Sequence, residues 1–151
     1  MSILQQQSDF GDMTGLEQLR ALLRMGLQPN IGATLQFSGV EFEDGFAAFE
    51  GTPGEHVYNP IGTVHGGYAA TLLDSALGCA VHTKLAKGQS YTTLELKVAY
   101  HRPMTKDTGK VRAEGRVVSI GRRAAFAEAR LTDASGQLYA SATSTLLVIT
   151  P

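Results

Sequence analysis

The spacing of apolar residues changes along this chain, and the changes mark out its elements. From Thr14 to Met25 the leucines at 16, 19, 22 and 23 recur at helical spacing behind a threonine suited to cap the first turn. That pattern predicts a helix, which Pro29 and Gly32 should end. Ala33–Phe42 and Phe46–Thr52 read as strands joined by the turn Glu43-Asp44-Gly45. Pro53–Val64, punctuated by Gly54, Pro60 and Gly62, reads as a loop. Gly66 to Leu85 is apolar on almost every side, which predicts a helix buried all round and closed by Lys87-Gly88. Four strand-like stretches follow: Tyr91–Tyr100, Lys110–Ile120, Ala124–Asp133 and Leu138–Ile149. In the first, Leu94, Leu96, Val98 and Tyr100 alternate with Glu95, Lys97 and Ala99.

Short turns between strands favour antiparallel pairing, and strands, helix and then a run of strands is an α+β pattern. One long apolar helix should lie against one curved antiparallel sheet. Residues 1–29, a polar Gln-rich tail over 1–13 and a helix, should precede a single domain over 30–151. The sequence contains no internal repeat or linker.

The chain has 151 residues, 43% hydrophobic and 18% charged, ordinary for one globular domain. Its apolar runs are too short to span a membrane. Met1 to Gln7 lacks a basic segment and an apolar core, so no secretory signal is expected and the cytoplasm is the expected location. The single cysteine, Cys79, excludes an intrachain disulfide. The net charge of -1 is unevenly spread. Residues 1–60 carry two basic and eight acidic side chains, whereas residues 97–123 carry eight basic and two acidic ones. The basic stretch suits either a phosphate-bearing ligand or a set of solvated strand edges.

Asp74 is the residue that most needs explaining. A carboxylate in an apolar helix costs free energy unless compensated, and it lies too far along the helix to cap it. It is a candidate general base or nucleophile, or a carboxylate that is merely hydrogen-bonded. At the helix start, backbone N–H groups lack intrahelical acceptors, and Gly66 and Gly67 have no side chains to keep a ligand away. Those donors suit a carbonyl oxygen becoming an oxyanion; alternatively the glycines only permit a sharp turn or close packing. Gly66 and Asp74 are eight residues apart, roughly 12 Å along a helix axis. One ester group cannot touch both within one chain. If they act together, a two-fold partner with an antiparallel helix must supply one of them. Strand alternation puts Thr92 on the face of Leu94 and Leu96. His56, His65, His82 and His101 form no metal-binding spacing, and no serine nucleophile elbow or P-loop is present.

The stretches Asn59…Gly62-Thr63-Val64-His65-Gly66-Gly67, Thr71-Leu72-Leu73-Asp74, Thr93-Leu94-Glu95-Leu96, Tyr100-His101-Arg102-Pro103, Gly121-Arg122 and Asp133-Ala134-Ser135-Gly136 resemble those of the hotdog-fold acyl-CoA thioesterases, in particular the PaaI-like group. The resemblance covers about residues 30–149. It implies a hotdog fold, one long helix wrapped by a curved antiparallel sheet, in a homodimer or a homotetramer built as a dimer of dimers. It further implies Asp74 as nucleophile or general base, the Gly66 N–H as oxyanion donor to the opposite protomer's site, Asn59 and His65 as positioning groups, and Thr93 as the holder of the attacking water. Gly67, Thr92, Arg102, Gly121, Arg122 and Arg123 are the expected substrate contacts, the arginines facing phosphates. The substrate implied is an aryl- or medium-chain acyl-CoA, with no cofactor, metal, nucleic-acid or membrane partner. A non-catalytic acyl-CoA binding or sensing protein is the alternative. Small helix residues (Ala69, Ala70, Ala76, Gly78, Ala80) leave room for an acyl group or permit close packing.

Overall fold

The computed structural model describes residues 10–151; the loose tail expected over residues 1–9 lies outside them. Residues 10–13 form a turn rather than a loose tail. The Met13 N–H donates to the Phe10 carbonyl, and Gln18 Nε2 donates to the carbonyls of Phe10 and Met13. Helix α1 runs Gly15–Arg24 behind a capping box at Thr14 and Glu17. It ends at Met25 and Gly26, whose φ of 66° is left-handed, before Pro29 is reached.

The pattern over Ala33–Leu35 is helical rather than extended. Helix α2 spans Asn30–Leu35, started by Pro29 and stopped by Gln36 in the left-handed region. A short apolar stretch fits either period, and here Pro29 decides it. Strand β1 therefore begins only at Phe37 and runs to Glu43; β2 is Phe46–Gly51. After a 3-10 turn at Glu55–Val57 comes α3, Gly66–His82. Strands β3 (Ser90–Tyr100), β4 (Val111–Ile120), β5 (Ala124–Asp133) and β6 (Leu138–Ile149) complete the chain.

The six strands form one antiparallel sheet in the order β1-β2-β4-β5-β6-β3. Ladder irregularities fall at Gly39/Glu41, Thr93/Glu95, Val117/Ser119 and Leu131/Thr132. Each bends its strand, and the sheet curls around α3, which touches all six strands. Leu72, Leu73, Ala76, Leu77, Ala80 and Val81 are fully buried in that embrace, with Val111, Ala125, Leu131 and Leu146 opposite. Helix and sheet backbones come close at Gly115, where a Cβ would collide with the Ala76 carbonyl oxygen. Any larger residue there would push the helix off the sheet.

Helix α3 stops three residues short of the expected Leu85. The Thr83 hydroxyl donates to the Ala80 carbonyl and accepts the Gly45 N–H, tying the helix end to the β1–β2 turn. Nor is α3 buried all round. Gly67 is exposed, and Ala70, Thr71, Asp74 and Ser75 are half-buried, a stripe at helical spacing on the side away from β4. Helix α1 packs over the C-terminal half of α3. Its Gly15 N–H donates to the Leu85 carbonyl, and Leu19 joins the common core.

Candidate active site

The candidate residues fall into two groups, one midway along α3 and one at its N-terminus. The first group is built on Asp74 and Thr93. The Thr93 hydroxyl donates to Asp74 Oδ1 at 3.2 Å. Strict alternation would have turned Thr93 away from the helix. Instead Leu94 bulges out of the β3–β6 ladder and is 57% exposed, so Tyr91 and Thr93 share the inward face with Leu96 and Val98. The expectation that Thr92 shares the face of Leu96 is thereby corrected: Thr92 is exposed on the outer side with Leu94.

Tyr91 lies one inward position before Thr93, over the next turn of α3 beyond Asp74. A Cβ on Gly78 would meet the Tyr91 hydroxyl oxygen at 2.8 Å. The Tyr91 ring stands edge-on to His82, centroids 5.7 Å apart. Burial raises the Tyr91 phenol well above its ordinary value, and the neighbouring Cys79 and Asp74 add to the rise. Cys79 keeps some accessible surface, yet the protein packed around its sulfur pushes the thiol up to about 12, with the Asp74 charge contributing. A thiol held protonated in this way is no nucleophile.

The second group surrounds the start of α3. Asn59 is consumed by its own loop: Oδ1 accepts the N–H groups of Ile61 and Thr63, and Nδ2 donates to Thr63 Oγ1. This fixes the turn that delivers the chain to His65. The His65 N–H donates to the Val57 carbonyl, and its Nδ1 accepts the Gly67 N–H at 2.8 Å as the helix cap. That bond sets the tautomer, with the proton on Nε2. It also corrects the expectation for Gly67, whose N–H is already taken. The Gly66 N–H has no acceptor among the described residues. Tyr100 flanks it: its hydroxyl donates to the Gly66 carbonyl at 2.8 Å, and its ring lies 3.1 Å from where a Gly66 Cβ would be. A Cβ at 66 would be tight against the tyrosine ring, which would have to shift by a few tenths of an ångström. A surface cavity of about 330 Å3 opens here, lined by His65, Gly66, Tyr100, His101, Arg102 and Met104 among others.

The basic stretch divides. Lys106 pairs with Glu55, Lys110 with Glu50, and Arg112 with Glu41, Glu50 and Glu114, while Arg116 stacks over Phe46. Lys106 joins two turns, and the other three cations tie neighbouring strands together. Arg102, Arg122 and Arg123 are exposed, with no ion pair among the described residues. Arg102 belongs to the Gly66 cavity. Arg122 and Arg123 line a separate groove of about 450 Å3 with Leu147, Val148 and Ile149. Gly121 is the turn before them, its N–H bonded to the Ala124 carbonyl. Ala124, Leu147 and Thr92 are aligned across β5, β6 and β3, so this groove lies at the Thr92 end of β3.

His56 lies in the 3-10 turn, and His101 is bonded to Ser141, both away from Asp74. Among the described residues no group of three His, Cys, Asp or Glu side chains can hold a metal ion, and no helix is long and apolar enough to cross a membrane. Tyr91 and Tyr100 had no assigned role from sequence. Their signal was parity: both are inward positions of β3, on either side of the bulge.

Residues 61–140, more than half of the chain, match the profile of the thioesterase superfamily. The proofreading thioesterase EntH of Klebsiella pneumoniae is 32% identical over 80 residues, 53% of this chain and 57% of its own length. In the first two curated relatives the match spans only about half of the relative, 44% and 57%. The PaaI protein from the phenylacetic acid degradation operon of Escherichia coli shares the fold, with a TM-score of 0.77, 17% identity, and 89% and 94% of the two chains covered. A Streptococcus mutans protein, smu.793, solved bound to acetyl CoA, gives a TM-score of 0.68 at 28% identity, covering 76% of this chain and 89% of that one. With a hotdog architecture and a profile match that runs from the Gly66 loop through β5, the chain belongs to the thioesterase superfamily.

Proposed function

We propose that the protein is an acyl-CoA thioesterase, hydrolysing an aryl- or medium-chain acyl-CoA to the free acid and CoA. The observation that carries this reading is the pairing of Asp74 with Thr93 midway along α3 and an unclaimed Gly66 N–H at its N-terminus. These are the two functions that thioester hydrolysis requires, and they are roughly 12 Å apart along one helix. A two-fold partner with its α3 antiparallel brings its Gly66 to this Asp74 and gives two shared sites. The half-exposed stripe of α3 and the open β3 edge are the surfaces such a dimer would cover.

Asp74 then acts as general base. The Thr93 hydroxyl directs its proton at Asp74 Oδ1, so its oxygen is left to accept a proton of the attacking water. Asp74 takes the other proton as water adds to the thioester carbonyl. The partner subunit's Gly66 N–H stabilises the resulting oxyanion. Collapse breaks the C–S bond, and the CoA thiolate leaves with little need of an acid. The step calls on no cofactor. Arg102, beside Gly66, and Arg122 and Arg123, at the Thr92 end of β3, lie in separate grooves, and contact of both with the CoA phosphates would require the second protomer.

Mixing two inactive variants tests the shared site. Asp74→Asn and Gly66→Ala homodimers, after subunit exchange, form hybrids with one intact site and one doubly damaged site. Thiol release should return to a substantial fraction of wild type. Continued inactivity in demonstrated hybrids overturns the shared site, and an inactive wild type across aryl- and alkyl-CoA thioesters overturns the enzyme. Single turnover in H2(18)O separates the chemical routes: label found in the Asp74 carboxylate would mean nucleophilic attack rather than general-base catalysis.

A further inference from the structure

Immediately beyond Asp74 the interior is closed by one side chain. Tyr91 crosses α3 at Gly78, where the absence of a Cβ lets its hydroxyl approach the helix backbone. His82 supports the ring from the far side, and His82 Nε2 is bonded in turn to Gln18 Oε1 of α1 at 2.9 Å. Cys79 sits against the Tyr91 hydroxyl. Cys79 also lines an apolar cavity beneath α1, walled by Leu19, Leu22, Leu23, Phe42 and Phe49. That cavity measures about 30 Å3. It has space for on the order of two water-sized probes, too little for an acyl chain.

We propose that Tyr91, seated over Gly78 and backed by Cys79 and His82, is the end wall of the acyl pocket, restricting this site to single-ring aryl or at most medium-length acyl groups and excluding long chains. With the wall in place, the apolar space beyond it beneath α1 is too small to take the end of a longer chain. This rests on the thioesterase reading for the location of the thioester beside Asp74. Nothing covalent changes at Tyr91: it acts by volume, and Gly78 is what allows that volume to lie across the helix.

The test is a chain-length series of linear acyl-CoAs together with a single-ring aryl-CoA, assayed by thiol release with wild type, Tyr91→Ala and Tyr91→Phe. Wild type should favour the aryl and short-to-medium-chain substrates over long ones. Tyr91→Ala should raise the kcat/KM ratio of long over short chains at least tenfold, and Tyr91→Phe, which keeps the ring, should retain the wild-type ratio. If Tyr91→Ala does not fold, Tyr91→Leu takes its place. The same series is measured by calorimetric binding in the Asp74→Asn background, where turnover is removed. A length dependence of binding that shifts with Tyr91 supports the wall even if no thioester is hydrolysed, in which case only the enzymatic reading fails. An unchanged length profile in a folded Tyr91→Ala protein, in turnover or in binding, overturns the wall, as does a wild type that already prefers long chains.

Discussion

The Thr93 hydroxyl reaches the Asp74 carboxylate because Leu94 is left out of the ladder. β3 pairs Thr93 with Leu146 and then Glu95 with Thr145, so the intervening residue is extruded and the alternation restarts one position late. A bulge of one residue thus decides which of two adjacent threonines faces the candidate base.

Substitution at this pair should separate chemistry from folding. Asp74→Asn should lower kcat/KM by about 100-fold or more, the usual worth of a general base. Asp74 is half-buried, so its loss should change stability by less than about 1 kcal/mol. Thiol-release kinetics beside a denaturant melt check both, and an active Asp74→Asn would remove the residue from the mechanism.

The two threonines provide an internal control. Thr93→Ala should reduce kcat/KM on the order of 10-fold, one hydrogen bond's worth, and Thr93→Ser should restore most of it. Thr92→Ala, on the outer face, should stay within about 2-fold of wild type. Reversal of that order would mean that the bulge is not maintained in solution.

Gly66 and Tyr100 form a second coupled pair. Gly66→Ala places a methyl group about 3.1 Å from the Tyr100 ring and should cost most of the activity while the helix survives. Tyr100→Ala in the same protein vacates the space and should recover part of the loss. No recovery in the double variant would show that Gly66 matters for a reason other than this contact.

Acid sensitivity should trace in part to His82. Burial lowers its pKa, so the unfolded chain takes up a proton at the ordinary value of about 6.5 while the folded chain resists until lower pH. The stability that His82 contributes is complete above that ordinary value and is lost as pH falls towards the folded one. The melting temperature should therefore drop between pH 7 and pH 5, and His82→Gln should flatten that part of the curve. Glu17 and Asp133, whose pKa values are lowered mainly by hydrogen bonds from Thr14 and Ser135 respectively, act only at more acid pH. An identical slope in His82→Gln assigns the effect elsewhere.

Much of this architecture was legible in the order of elements and in the glycines at the head of α3. The exceptions have local physical causes. Pro29 turned Ala33–Leu35 into a helix that the apolar pattern alone could not distinguish from a strand. The bulge at Leu94 broke the alternation that would have assigned Thr92 to the interior, and such a slip leaves no mark in composition. The apolar character of α3 suggested burial on every side, yet part of its surface is open in a single chain. The sequence records which side chains avoid water without saying which molecule covers them. Gly67 read as a free donor because a histidine before a helix is not among the common capping residues, although its ring nitrogen serves.

That cap divides the work at the head of the helix. His65 takes the Gly67 N–H for the fold, and the Gly66 N–H is left over. Under the proposed function, a substrate oxygen arriving there would displace no partner among the described residues, and its departure would leave no broken contact to repair, so each binding cycle would leave the helix cap that holds the fold intact.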